Sequence, residues 1–203
     1  MLRLKKVAVT GSISSGKTTV CRILQKLGAY VISADEIVHQ LLTPTTDLGK
    51  EIIALLGDDL VVGEKLNREA IAQKVFRDPS LLKKLEKRIH PEVQKVIETQ
   101  YQQISKKNYP VFVAEIPLFF ESSLFFESDY DIKIFVYADE ERRKQRFTKA
   151  THYGKDEFDR RQKRLIPDEQ KKARADIVIE NNGSFESLQQ AVEIIFNSLK
   201  ENV

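Results

Sequence analysis

The sequence predicts an α/β fold, a five-stranded parallel sheet flanked by helices, and three observations carry that prediction. Five short β-favouring runs punctuate the 203 residues, at 7–10, 30–32, 111–114, 132–137 and 177–179. The segments between them place apolar residues at helical spacing. A glycine-rich loop, Gly11 to Thr18, joins the first run to the first helical pattern.

Val7-Ala8-Val9-Thr10 is short and apolar and is closed by Gly11, as a buried parallel strand should be. From Lys17 the spacing Val20, Ile23, Leu24, Leu27 is helical, with Gly28 placed to cap it. Tyr30-Val31-Ile32 is a second strand, Val111 to Ala114 a third, Ile132 to Tyr137 a fourth and Ile177 to Ile179 a fifth. Residues 34–110 exceed what a crossover needs. Their apolar positions (Ile52, Leu56; Ile71, Val75; Leu85, Ile89; Val93, Ile97) predict an all-helical lobe, with Asn67 and Asp78-Pro79 as helix starts. His90-Pro91 predicts a helix boundary. Residues 142–174 carry 13 Lys or Arg against 5 Asp or Glu. The domain reading is therefore a nucleotide-binding core of 1–33, 111–138 and 175–203, a helical insert of 34–110 and a small basic helical lid of 139–174.

Composition narrows the class. With 41% hydrophobic and 31% charged residues the chain can bury a core. A net charge of only +3 argues against a general nucleic-acid binder. The single cysteine, Cys21, excludes an internal disulfide framework and fits a reducing compartment. The most apolar stretch, 111–126, contains Glu115, Pro117 and Glu121 and falls short of the ~18 uncharged residues of a membrane helix. The first residues run straight into the glycine motif and read as mature sequence. A cytoplasmic protein with no membrane association and no evident obligate protein partner is expected.

Gly11-Ser12-Ile13-Ser14-Ser15-Gly16-Lys17-Thr18 matches GxxxxGK[ST], between a predicted strand and a predicted helix as that motif requires. Loop amides and the helix N-terminus face the phosphates of a nucleotide, Lys17 reaches the β and γ oxygens, and the Thr18 hydroxyl ligates Mg²⁺. Asp35 follows the second strand, where ligands bind in parallel sheets. It is either a base for an acceptor hydroxyl, or metal support, or the cap of a helix over 36–42. Glu115 ends the third strand and is a candidate to approach the metal. Among Arg142, Arg143, Arg146, Lys149, Arg160, Arg161 and Arg164, two or three are expected to touch phosphate. His90 reads as a structural group, His39 and His152 offer less, and Phe119, Phe120, Phe125 and Phe126 read as packing.

Together these motifs resemble the dephospho-coenzyme A kinase family over almost the whole chain. The family's glycine loop looks like Thr10 to Thr19, its strand-two aspartate falls on Asp35, its His-Pro on His90-Pro91, its Pro-Leu-x-x-Glu on Pro117 to Glu121, and its Ala-Asp-x-x-Ile-x-Asn on Ala175 to Asn181. The resemblance implies a P-loop kinase core and ATP-dependent phosphorylation of the ribose 3′-hydroxyl of dephospho-coenzyme A, with ATP and Mg²⁺ as cofactors. It implies Asp35 as base, and Lys17, Arg146 and Arg161 as phosphate-stabilising groups. ATP would contact residues 11–19, Arg146, Arg161 and Asn181, and the metal Thr18 and Glu115. The insert looks like the family's coenzyme-A-binding lobe. The chain departs from the pattern at Ser12 and Ser14, where the family has more glycine, and at Ser33. In the lid, Gln-x-x-Arg-x-x-x-Arg becomes Arg143-Lys144-Gln145-Arg146-Phe147-Thr148-Lys149-Ala150, and a later glutamine is Leu165.

Two rival readings are another small-molecule or nucleoside monophosphate kinase, which shares the fold, and a nucleotide-dependent switch. Against the switch, the sequence has no Asn-Lys-x-Asp run. A kinase-like protein without activity fits poorly with Lys17, Thr18 and Asp35 all in place.

Overall fold

The structure, a computed structural model, describes residues 4–121 and 127–201. Phe125 and Phe126 lie outside the described residues. Contacts divide the chain into two compact units, Met1–Ser33 with Tyr101–Val203, and Ala34–Gln100.

The first unit is built on a parallel sheet of β1 (Lys5–Gly11), β2 (Tyr30–Ser33), β5 (Val111–Glu115), β6 (Ile132–Tyr137) and β7 (Ile177–Glu180), in the order β2-β5-β1-β6-β7. β1 runs beside β5, from Lys5 opposite Val111 to Val9 opposite Glu115, and beside β6, from Val7 opposite Ile132 to Gly11 opposite Val136. Both neighbours shield it, which is why Val7, Ala8 and Val9 are fully buried. Helices α1 (Lys17–Lys26) and α9 (Phe185–Glu201) supply Val20, Leu24, Leu188, Val192 and Phe196 to the core formed with Val9, Val113 and Ile134. α1 ends as its sequence predicts. Gly28, at φ 104°, donates to Gln25 O and Ala29 donates to Leu24 O, each at 3.0 Å, the paired bonds of a Schellman cap. The basic segment folds as α6 (Glu140–Ala150), α7 (Lys155–Gln162) and α8 (Asp168–Arg174).

The second unit contains α2 (Ala34–Leu41), α3 (Asp47–Leu56), α4 (Arg68–Arg77) and most of α5 (Pro79–Ile104). Asn67 caps α4, accepting from Ala70 N at 3.0 Å, and Asp78 accepts from Ser80 N at 2.8 Å ahead of Pro79. Two expectations are corrected. α5 runs unbroken through Pro91: one lost backbone bond is offset by the apolar face of Leu85, Ile89, Val93 and Ile97, all buried. The lobe is also not purely helical, because β3 (Val61–Val62) and β4 (Lys65–Leu66) form a hairpin. Gly63, at φ 61°, opens its two-residue turn. Among the described residues no helix is long and apolar enough to cross a membrane.

Candidate active site

The order β2-β5-β1-β6-β7 puts β1 where the connections diverge to either side, so the loop leaving its C-terminal end opens at a ligand-binding crevice. That loop is the glycine motif. Its tight path is enforced at Gly11, where a Cβ would collide with Val136 O, and at Gly16, whose φ is 102° and whose Cβ would strike Asn181 Nδ2. Ser14 also adopts a left-handed φ, 56°, at one of the positions where the family pattern favours glycine. Within the loop only Ser15 N turns back, to Ser12 O at 3.2 Å. The amides of Ile13, Ser14, Gly16 and Thr18 make no hydrogen bond with any described residue, and the buried Ser15 hydroxyl has no partner among them. Unspent donors at a helix N-terminus form a cradle for an anion, and the site fits a nucleotide's phosphates.

The charged groups around the cradle come from distant segments. Lys17 Nζ donates to Gly11 O and Ser12 O, each at 3.0 Å, so the ammonium lies along the loop. Thr18 Oγ1 donates to Glu115 Oε1 at 2.8 Å. Glu115 is buried at the end of β5, and the Cys21 thiol is also hydrogen-bonded to it. Burial and then the Glu115 charge push the Cys21 thiol far above its ordinary range. Arg146, on α6, donates to Ser15 O at 3.3 Å and to Asn181 O at 3.0 Å. Burial and then Arg142 lower its pKa. Asn181 lies just past β7 and donates from Nδ2 to Ser15 O at 2.8 Å, bracing the loop from behind.

Other cations of the basic segment are engaged elsewhere. Arg161 donates to Glu157 at 2.7 Å and lies over the rings of Tyr153 and Phe147, so the structure brings Arg146, and not Arg161, to the loop. Arg160 pairs with Glu157, and Arg143 is buried. Lys149 and Ala150 are exposed at the end of α6. Glu121 pairs with the buried Lys171 at 2.5 Å, which separates its role from that of Glu115 beside Thr18. Phe119 and Phe120 are buried and stack edge to face, as packing residues do.

In the second unit Asp35 lies inside the first turn of α2 and not ahead of it, which removes the capping role. It is exposed, and it makes no hydrogen bond or ion pair with any described residue. It lines a cavity of about 280 Å³ with Glu36, His39, Gln40 and Arg68. Arg68 Nη1 lies 2.9 Å from His39 Nδ1, which orders both side chains. His90 is half-buried in α5, and desolvation lowers its pKa. Reading the sequence alone missed Asp168, whose carboxylate accepts from Ser12 Oγ at 2.5 Å, and Asp176, which accepts from Lys133 N at 2.7 Å. The Ala175-Asp176 motif signals the second of these; Asp168 reads as an ordinary first-turn acid.

The model of the dephospho-CoA kinase family matches residues 5–187. The chain belongs to that family. A dephospho-CoA kinase of Chlamydia pneumoniae is 48% identical over 201 residues, 98% of each chain. The solved structure of TT1252 from Thermus thermophilus superposes with a TM-score of 0.82 at 32% identity, covering 98% of this chain and 99% of that one. Dephospho-CoA kinase from Campylobacter jejuni gives 0.70 at 28% identity, covering 97% and 98%. The family accounts for the α/β core with its parallel sheet and makes the chain a kinase that uses ATP.

Proposed function

We propose that the chain transfers the γ-phosphoryl group of ATP to the ribose 3′-hydroxyl of dephospho-CoA, completing coenzyme A synthesis. The observation that carries this reading is the glycine loop, with four amides unspent and Lys17, Thr18 and Arg146 gathered on it, in a chain of this family.

ATP supplies the phosphoryl group and its leaving ADP. The loop amides hold the phosphate oxygens, and Lys17 leaves its own loop carbonyls to meet the β and γ oxygens. Arg146, partly buried and held at the loop through Ser15 O, stabilises charge on the group in transit. Thr18 would hold Mg²⁺ through its hydroxyl, with Glu115 beside it to orient the ion's waters. One hydroxyl and one carboxylate suit an ion that arrives with the phosphates.

Asp35 takes the proton of the attacking hydroxyl. Its carboxylate has no described partner to compete for that proton, and it shares its cavity with Arg68, a cation suited to an anionic acceptor. Asn181 supports the nucleotide site from behind by holding Ser15 O, while Arg161 stays paired with Glu157 away from the loop. The test is ADP release from ATP and Mg²⁺ with and without dephospho-CoA, with the product weighed. Strong stimulation and one added phosphate on the 3′ position support the reading; ATP bound without stimulation by dephospho-CoA overturns it.

A further inference from the structure

We propose that Asp168 is a positioning residue for the nucleotide, clamping the glycine loop to the basic lid through Ser12 and Arg143. The inference rests on the reading that ATP sits on this loop.

Asp168 is the first residue of α8, and its two carboxylate oxygens are divided between two segments far apart in sequence. Oδ1 accepts from Ser12 Oγ at 2.5 Å, and Oδ2 accepts from Arg143 Nη2 at 3.0 Å. The Asp168 side chain is 13% exposed and that of Arg143 2%, so the pair is shielded from water. Arg143 is fixed on every side. Its Nε donates to Ala138 O at 2.8 Å and its Nη1 to Gln162 Oε1 at 2.8 Å, and its guanidinium lies over the Phe158 ring. One arginine of α6 thus holds the end of α7, the start of α8 and the exit of β6 together.

α8 is anchored along one stripe. Asp168, Lys171 and Arg174 follow each other at three-residue spacing and share a helix face. Lys171 pairs with Glu121, and Arg174 donates to Phe120 O at 2.9 Å and to Glu127 at 2.6 Å. The carboxylate that grips Ser12 therefore stands on a braced element. Ser12 in turn presents the carbonyl that receives Lys17 Nζ, so the clamp fixes the residue that launches the phosphate-binding lysine.

The charge balance explains why Arg143 is needed. A carboxylate beside a phosphate cradle repels the incoming anion unless a cation cancels it, and in a dry site that repulsion is weakly screened. Arg143 supplies the cancellation. Both partners of Asp168 stand where the chain departs from the family pattern: Ser12 in place of glycine, and Arg143 in place of glutamine.

The experiment measures KM for ATP and for dephospho-CoA, with kcat, in Arg143→Gln, Asp168→Asn, the double variant and Ser12→Gly. Arg143→Gln leaves a buried carboxylate uncompensated and is expected to raise the ATP KM about tenfold or more, with the acceptor KM within about twofold. Adding Asp168→Asn removes that carboxylate and is expected to recover most of the ATP KM with the acceptor KM unmoved, whereas a merely structural pair recovers Tm without a selective change in the ATP KM. Ser12→Gly, which keeps both members of the ion pair, is expected to raise the ATP KM several-fold, in keeping with loss of a charged hydrogen bond at about 1.4 kcal/mol per tenfold. Additive single effects, equal shifts in both KM values, or an unchanged ATP KM in Ser12→Gly overturn the clamp. Lys17→Met separates the two levels. An unchanged ATP KM there overturns the loop reading and the clamp with it, whereas a raised one upholds the loop reading, and the double-variant cycle then decides the clamp alone.

Discussion

Thr18 Oγ1 donates to Glu115 Oε1 at 2.8 Å, joining the first turn of α1 to the last residue of β5 across the mouth of the glycine loop. A hydroxyl that ligates a metal must turn its lone pair outward, and a carboxylate receiving its proton holds it in that orientation. Glu115→Gln keeps the shape and loses the charge. Its apparent Mg²⁺ requirement is expected to rise about 10-fold or more, the usual range for outer ligands, with ATP binding measured in EDTA unchanged. Titration of activity against Mg²⁺ reads this directly.

Asp35→Asn tests the base. The amide is similar in size and cannot take a proton, so kcat is expected to fall by roughly 10²–10⁴, the contribution of a positioned general base. ATP affinity by calorimetry is expected to stay within about twofold, since Asp35 makes no bond to any described residue. Wild-type turnover in this variant removes the assignment.

The glycine loop was legible because its determinants are contiguous: strand, glycines, lysine and threonine occupy one short run, and backbone sterics dictate the rest. Gly28 and Asn67 were legible for the same reason, as local caps. The continuity of α5 through Pro91 was not, because the burial of Ile89, Val93 and Ile97 decides it and proline's local preference points the other way. The hairpin at Val61–Leu66 carried a weak signal in Gly63 that two-residue strands do not reinforce. The bonds from Asp168 to Ser12 and from Lys171 to Glu121 connect residues whose types are unremarkable in their own segments, and only the packing of α8 brings them together.

Gly16→Ala is expected to be severe. The residue sits at φ 102°, and a methyl there meets Asn181 Nδ2. Left-handed strain of about 1–2 kcal/mol adds to that collision, so a lowered Tm and an ATP affinity weakened about tenfold or more are expected. Gly16→Ala combined with Asn181→Ala relieves the collision but keeps the strain, and is expected to recover part of the Tm only.

Cys21 predicts a pH dependence of stability. Its thiol is raised well above the ordinary value of 9.0, chiefly by burial. The folded state keeps its proton after the unfolded chain has lost it, so the stabilisation is full below pH 9 and declines as pH rises through and beyond that value. Between pH 9 and 10 wild type is expected to lose about 1 kcal/mol more than Cys21→Ala in denaturant titrations. Iodoacetamide is expected to label the thiol only on unfolding.

The pairing of β1 orders events during synthesis. Lys5 lies beside Val111 and Gly11 beside Val136, so the strand that carries the nucleotide motif waits for both neighbours until much of the chain has been translated. At roughly 5–20 residues per second that wait lasts about 6–25 seconds, and until Val111–Glu115 is made the apolar Val7-Ala8-Val9 segment has no strand to pair with. A nascent chain halted before Ile132 holds every letter of the glycine motif and only one of the two walls that shape it. ATP can therefore act as a ligand of the finished sheet, but it cannot template the early chain.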